Sequence, residues 1–193
     1  MLNNEFYWLV SLSLNGEKME IDKEVSFSPR FAGEKINYED ARYIVISDGL
    51  VLNSEEVKRV SSTASLRDYY LQIIKESRTP DELIGPFNAF LYDKIERRGL
   101  AFGNQTGDSS IFYYYDKVLS RIIISNNYNR IADKVSTREL DEMAAHCLIT
   151  YGFYVDDLTI IKGVKRVQAG NFIELVDDKH SVKQYHHFDF MTK

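Results

Sequence analysis

Gly85-Pro-Phe-Asn-Ala-Phe-Leu-Tyr-Asp93 is the stretch on which the reading of the whole chain turns. Phe87 to Tyr92 is short, aromatic and apolar, the composition of a strand packed inside a sheet. Three segments of the same kind follow it, Arg98–Gly103, Ile111–Tyr115 and Arg121–Ser125, separated by polar turns. Four such runs in succession predict a meandering sheet at the centre of the domain.

Outward from this centre the pattern changes period. Toward the amino terminus, Ser65-Leu66-Arg67-Asp68 resembles a capping box with Asp in place of Glu, and Leu66, Tyr69, Tyr70, Ile73 and Ile74 recur at helical spacing on one face. Thr79-Pro80 ends that helix. Ser54 followed by Val57 caps a short helical turn, and Arg42–Ser47 is a buried strand closing in the tight turn Asp48-Gly49. Tyr7–Leu14 stops at Asn15-Gly16, a strong hairpin signal, so a strand pair is expected from about Phe6 to Phe27. Toward the carboxyl terminus, Ser136-Thr137-Arg138-Glu139 reads as a capping box. Leu140, Met143, Ala144, Cys147, Leu148 and Tyr151 then mark one apolar helical stripe, and Gly152 fits the carboxyl cap. Strands are expected at Thr159–Lys162, Asn171–Val176 and Val182–Tyr185, the last two joined by a turn at Asp177-Asp178-Lys179-His180. Runs of strands alternating with single helices indicate a layered α+β protein.

Bulk properties bound the function. With 44% hydrophobic and 13% aromatic residues among 193, the chain can fill a substantial core, so residues 1–193 are expected to form a single domain. A net charge of −5 with scattered Lys and Arg offers no basic stripe for a phosphate backbone, so nucleic acid is not an expected partner. Met1 to Tyr7 has no basic leader character, and no apolar run approaches the roughly 18 residues of a membrane span. The expectation is a cytoplasmic protein with no membrane partner. Its one cysteine, Cys147, cannot form an internal disulfide.

Several segments in order resemble the glutaminase domain of class II glutamine amidotransferases, the asparagine synthetase type in particular. Gly85–Asp93 is similar to that family's Gly-x-Phe-Ala-Phe-Ala-Leu-Tyr-Asp strand, and Gly107 with Ile111-Phe112-Tyr113 to its Gly-x-x-Pro-Leu-Tyr-Tyr segment. Thr159 to Gly170 resembles Thr-Leu-Phe-Lys-Gly-Ile-Arg-Lys-Leu-Pro-Pro-Gly, and Tyr185-His186-His187-Phe188 the aromatic exit toward a synthetase domain. The resemblance covers roughly Tyr43 to Asp189. It implies a four-layer alpha-beta-beta-alpha sandwich of the amino-terminal-nucleophile type, ending about where an ATP-dependent synthetase domain would begin.

The chemistry that the resemblance implies is largely missing. The family nucleophile is a cysteine exposed by removal of the initiator Met, with its own amino group as base; position 2 here is Leu2, and Cys147 reads as core filling. The family's Asn-Gly oxyanion pair is matched by Asp48-Gly49, where an ionised carboxylate can only accept hydrogen bonds. Leu50 stands where a Glu would bind the substrate amino group, Leu66 replaces a second carboxylate, and Gly103-Asn104-Gln105 replaces an Arg-Asp-Arg. Arg30, in Ser28-Pro29-Arg30-Phe31, is the one match to a substrate anchor, the arginine that grips the glutamine carboxylate. No catalytic residue is therefore assigned.

Other constellations point to structure. Adjacent His186 and His187 diverge on a helix or a strand, so no metal site is expected. Asp156-Asp157 and Asp177-Asp178 suit solvated turns, and alternation along Tyr113–Tyr115 buries alternate rings. There is no Gly-rich phosphate loop, so ATP and Mg are implied only for a synthetase domain, in cis or in trans. The expected function is a glutaminase-like domain without activity, structural or regulatory in an amide-forming protein. The alternatives are a glutamine-like amino-acid sensor and a free-standing adaptor in a biosynthetic pathway.

Overall fold

A computed structural model describes residues 7–15, 18–27 and 33–187. In chain order its elements are β1 (Tyr7–Asn15), β2 (Lys18–Ser26), β3 (Ile36–Glu39), β4 (Tyr43–Gly49), α1 (Ser54–Ser61) and α2 (Leu66–Glu76). Then come β5 (Phe87–Asp93), β6 (Arg98–Gly103), β7 (Phe112–Asp116), β8 (Arg121–Ser125), α3 (Tyr128–Lys134) and α4 (Glu142–Tyr151). The chain closes with β9 (Val164–Arg166), β10 (Asn171–Val176) and β11 (Lys179–Gln184). These elements fall into two compact units, Met1–Phe31 with Ser110–Gln168, and Ala32–Ser109 with Ala169–Lys193.

In the second unit six antiparallel strands lie in the order β11-β10-β6-β5-β4-β3. The stretch Phe87–Asp93 is central and buried at every position, because strand alternation gives it two apolar faces. Phe87, Ala89 and Leu91 join Val45, Leu100 and Phe102 under the face of α2 formed by Leu66, Tyr69, Tyr70 and Ile73. Ile44, Ile46, Phe90, Tyr92, Ala101 and Ile173 occupy the alternate positions and are also buried. The Ser65 hydroxyl caps α2 by accepting from the Asp68 N–H at 3.1 Å, as its capping pattern predicts.

In the first unit five antiparallel strands are ordered β2-β1-β8-β7-β9. The β1–β2 pairing runs from Tyr7↔Ser26 to Asn15↔Lys18, the register of the expected hairpin. Leu9, Ile123 and Val164 pack with Ile131 and Val135 at α3, while Trp8, Val10, Leu12, Ile122 and Ile124 are buried at the alternate positions.

Several expectations fail for identifiable reasons. The helix assigned to Ser136 onward begins at Glu142, with Asp141 as cap accepting from the Ala144 N–H at 3.0 Å. Ser136–Glu139 cannot open a helix because the segment is tied laterally: the Asp141 N–H donates to Ile160 O, the Lys162 N–H to Glu139 O, and Leu140 bridges Ile161. The apolar stripe buries only Ala144 and Cys147; Leu140, Met143, Leu148 and Tyr151 are exposed. Thr159–Lys162 is irregular apart from the single Leu140–Ile161 bridge, with the Thr159 hydroxyl 2.7 Å from the Val164 carbonyl, and the strand follows a turn at 162–163 as β9. Tyr113, Tyr114 and Tyr115 are all half-buried, so the rings do not alternate between buried and exposed along β7. Helix α3 and strand β3 had no strong sequence signal.

Candidate functional site

The place where the resemblance puts an oxyanion donor is the end of β4. Asp48 and Gly49 are its last two residues, and cross-strand pairing sets Asp48 beside Asn88 and Gly49 beside Phe87. Alternation along β4 turns Ser47 to the α2 side, where its hydroxyl lies 3.2 Å from the Tyr70 hydroxyl and 3.2 Å from the Asn88 carbonyl. Asp48 is therefore on the opposite face of the sheet, with Ile44, Ile46 and Asn88.

The loop after Gly49 is fastened by main chain. The Leu50 N–H donates to Pro86 O at 2.9 Å and the Leu52 N–H to Ile84 O at 2.7 Å. Asn53 adds two side-chain bonds, its amide nitrogen donating to Glu82 O at 2.8 Å and its amide oxygen accepting from the Ile84 N–H at 2.9 Å. Two backbones this close leave no room for side chains between them, which is why Gly49 and Gly85, with φ of +118° and +128°, occupy the approach.

Half-burial pushes the Asp48 carboxyl above its ordinary 3.8, and the Lys35 charge and the Gly49 N–H pull in the opposite sense. Buried Asn88 is the polar neighbour that sequence reasoning missed. Its signal was a single amide inside an otherwise apolar strand. A carboxyl and an amide side by side can hold a proton or a polar ligand atom. Neither is the thiol that the resemblance calls for as nucleophile.

The other described residues singled out by the resemblance take ordinary structural places. Leu66 is buried in the α2 core and Leu50 is exposed. Asn104 orders its own loop: its amide nitrogen donates to Thr106 Oγ1 at 2.6 Å and to Asp108 Oδ2 at 3.0 Å, and its oxygen accepts from the Ser109 N–H. Gln105 donates to Asp81 O at 2.6 Å. Cys147 is a buried free thiol on α4, as core filling requires. Arg30 and Leu2 lie outside the described residues. His146 sits on α4 and His180 on β11, and among the described residues no three His, Cys, Asp or Glu side chains gather as a metal site would need. No helix among the described residues is long and apolar enough to cross a membrane.

Two antiparallel sheets, one packed against α2 and the other against α3, define an α+β protein with the fold of class II glutamine amidotransferases. One likeness is to the glutamine phosphoribosylpyrophosphate amidotransferase of B. subtilis complexed with ADP and GMP. It has TM-score 0.50 and 9% identity over 95% of this chain, and the chain spans 44% of that protein's length. A class-II glutamine aminotransferase domain protein from Silicibacter pomeroyi aligns with TM-score 0.42 and 8% identity over 93% of this chain and 99% of its own. At such identities the likeness is one of fold alone. The chain matches no protein-family model, and it matches no curated protein.

Proposed function

We propose that the chain is a glutaminase-like domain that does not hydrolyse glutamine and that serves as a structural or regulatory partner of an ATP-dependent amide-forming domain, in cis or in trans. The observation that carries this reading is the half-buried carboxyl of Asp48 at the end of β4, where the resemblance calls for the amide of an Asn-Gly pair. As a carboxylate it accepts hydrogen bonds and repels the negative charge that builds on the substrate oxygen. Losing one such donor typically slows the chemical step by about 100- to 1000-fold. The absence of a second cysteine supports the same reading, since Cys147 is enclosed on α4.

The amide-forming partner follows from the resemblance to asparagine synthetase-like proteins, in which ATP and Mg belong to the other domain. The test is calorimetric titration with glutamine, paired with an assay for released ammonia. Neither heat of binding nor ammonia is expected. Ammonia release would overturn the reading, and saturable binding without release would make the domain an amino-acid sensor instead.

A further inference from the structure

Helix α4 has the composition of an enclosed helix and the exposure of a surface one. Among its residues Glu142–Tyr151 only Glu142 carries a formal charge, and Met, Ala, Cys, Leu, Ile and Tyr supply most of the rest. A helix that is apolar around most of its circumference is normally covered. Here Ala144 and Cys147 are its only buried residues, while Ile149 is 85% exposed and Met143 is 62% exposed. Leu140 before the helix, Leu148 and Tyr151 within it, and Phe153 after it are exposed as well.

We propose that this surface is an isologous interface with a second copy of the chain. Three features select a second copy. The first is area. Scaling the exposures of those six residues by side-chain-bearing areas of roughly 150–250 Å² gives a patch on the order of 700 Å². That is above the about 300–600 Å² of the largest apolar patch on a typical monomer, and close to the about 800 Å² that each partner buries in a standard interface.

The second is that the patch carries both a projection and a recess. A cavity of about 410 Å³ opens beside α4, walled by Leu148 and Phe153 from the patch, by Tyr154, by Phe112 and Tyr128 from β7 and α3, and by the charged Asp156 and Arg166. Ile149, which follows the wall residue Leu148 in the chain, is the most exposed side chain of α4. About a two-fold axis, residue i of one copy meets residue j of the other and the reverse, so one patch bearing knob and hole completes its own interface. Anchors seated in apolar pockets are where interface energy concentrates.

The third is charge. The chain carries −5 overall, so two copies repel on average, and α4 itself adds only Glu142, the flanking charges being of both signs: Asp141 and Lys162 near Leu140 and Met143, Asp156 and Arg166 around the cavity. The absence of Lys and Arg from α4 also separates it from helices that lie on anionic membranes, which need a basic polar face.

Sedimentation equilibrium of the full chain from about 1 to 100 µM tests the proposal, with dimerisation expected at micromolar concentration, an ordinary strength for an interface of this size. Ile149→Asp should raise the dissociation constant by about 30-fold or more. Val118→Asp, equally exposed but on the β7–β8 turn, should leave it unchanged. A measurement on the unaltered chain covers the case of a variant that does not fold: amide exchange from Leu140 to Phe153 should slow as concentration rises. A chain monomeric throughout, a dimer indifferent to Ile149, or a monomer that instead binds another protein or anionic vesicles would overturn the proposal. The inference is independent of the functional reading, because ammonia release and oligomer mass are separate measurements.

Discussion

Replacing Gly85 by alanine tests the main-chain fastening at the end of β4. At φ +128° an L-residue is strained, and a Cβ there would overlap the Leu50 carbonyl oxygen and come within 3.0 Å of the Leu52 nitrogen. Both are backbone atoms, so the clash cannot be relieved by a rotamer. Relief requires moving 84–86 away from 50–52, which breaks Leu50 N–H to Pro86 O and Leu52 N–H to Ile84 O. Backbone strain of about 1–3 kcal/mol and two lost hydrogen bonds of about 1 kcal/mol each give an expected destabilisation of about 3–5 kcal/mol. Gly152→Ala is the internal control. Gly152 has φ +78° and nothing within 4 Å of the point a methyl group would occupy, so that variant meets only the left-handed penalty of about 1–2 kcal/mol. Urea unfolding of the three proteins measures the difference, and amide exchange at Leu50 and Leu52 should accelerate in Gly85→Ala alone. If Gly85→Ala costs no more than Gly152→Ala, or leaves those two amides protected, the fastening is not what holds this corner.

Acid should weaken the fold in a definite window. Burial pushes the Asp93 carboxyl up, but the Arg42 guanidinium at 2.9 Å and the N–H groups of Glu96 and Ile95 outweigh it, leaving it below 3.8. The Tyr38 hydroxyl and the Tyr43 and Arg42 N–H groups hold Asp40 down at about 2, and Lys183 lowers Glu174. Groups depressed in the folded state stabilise it fully above their unfolded values near pH 4 and lose that contribution as pH falls toward about 2. The urea midpoint should therefore drop between those limits, and Asp93→Asn should flatten the drop. Asp48 has the opposite sign. Its raised carboxyl favours folding in the protonated form and opposes it as pH rises through the folded value, so Asp48→Asn should raise the urea midpoint at pH 7 without producing ammonia from glutamine. Tyr70→Phe removes the hydroxyl beside Ser47 and should cost about 1 kcal/mol, read by the same unfolding assay.

What could be read from sequence was whatever strand alternation or helical spacing writes locally. Phe87–Asp93 and the Leu66–Ile74 face announced themselves because each buries one coherent set of side chains. The start of α4 did not, because Ser136–Glu139 has a cap's composition while its backbone is held by partners at 160–162, far along the chain. Strand β3 escaped for a related reason: Ile36–Glu39 is half polar and owes its shape to pairing with β4. At the candidate site the departures from the resembled pattern at positions 48, 50 and 66 were visible as residue types. Asn88 was hidden by the regularity of its own strand, and Arg30 remains outside the described residues.

The bonds that join 50–53 to 82–86 run between peptide groups and the Asn53 amide, and none of them uses the side chain of residue 48 or 50. Shape and chemistry are thus encoded at different positions. Residues 48 and 50 can therefore change type while the fastening between 50–52 and 84–86 is kept, and an engineer can vary both side chains without touching the bonds that set this loop.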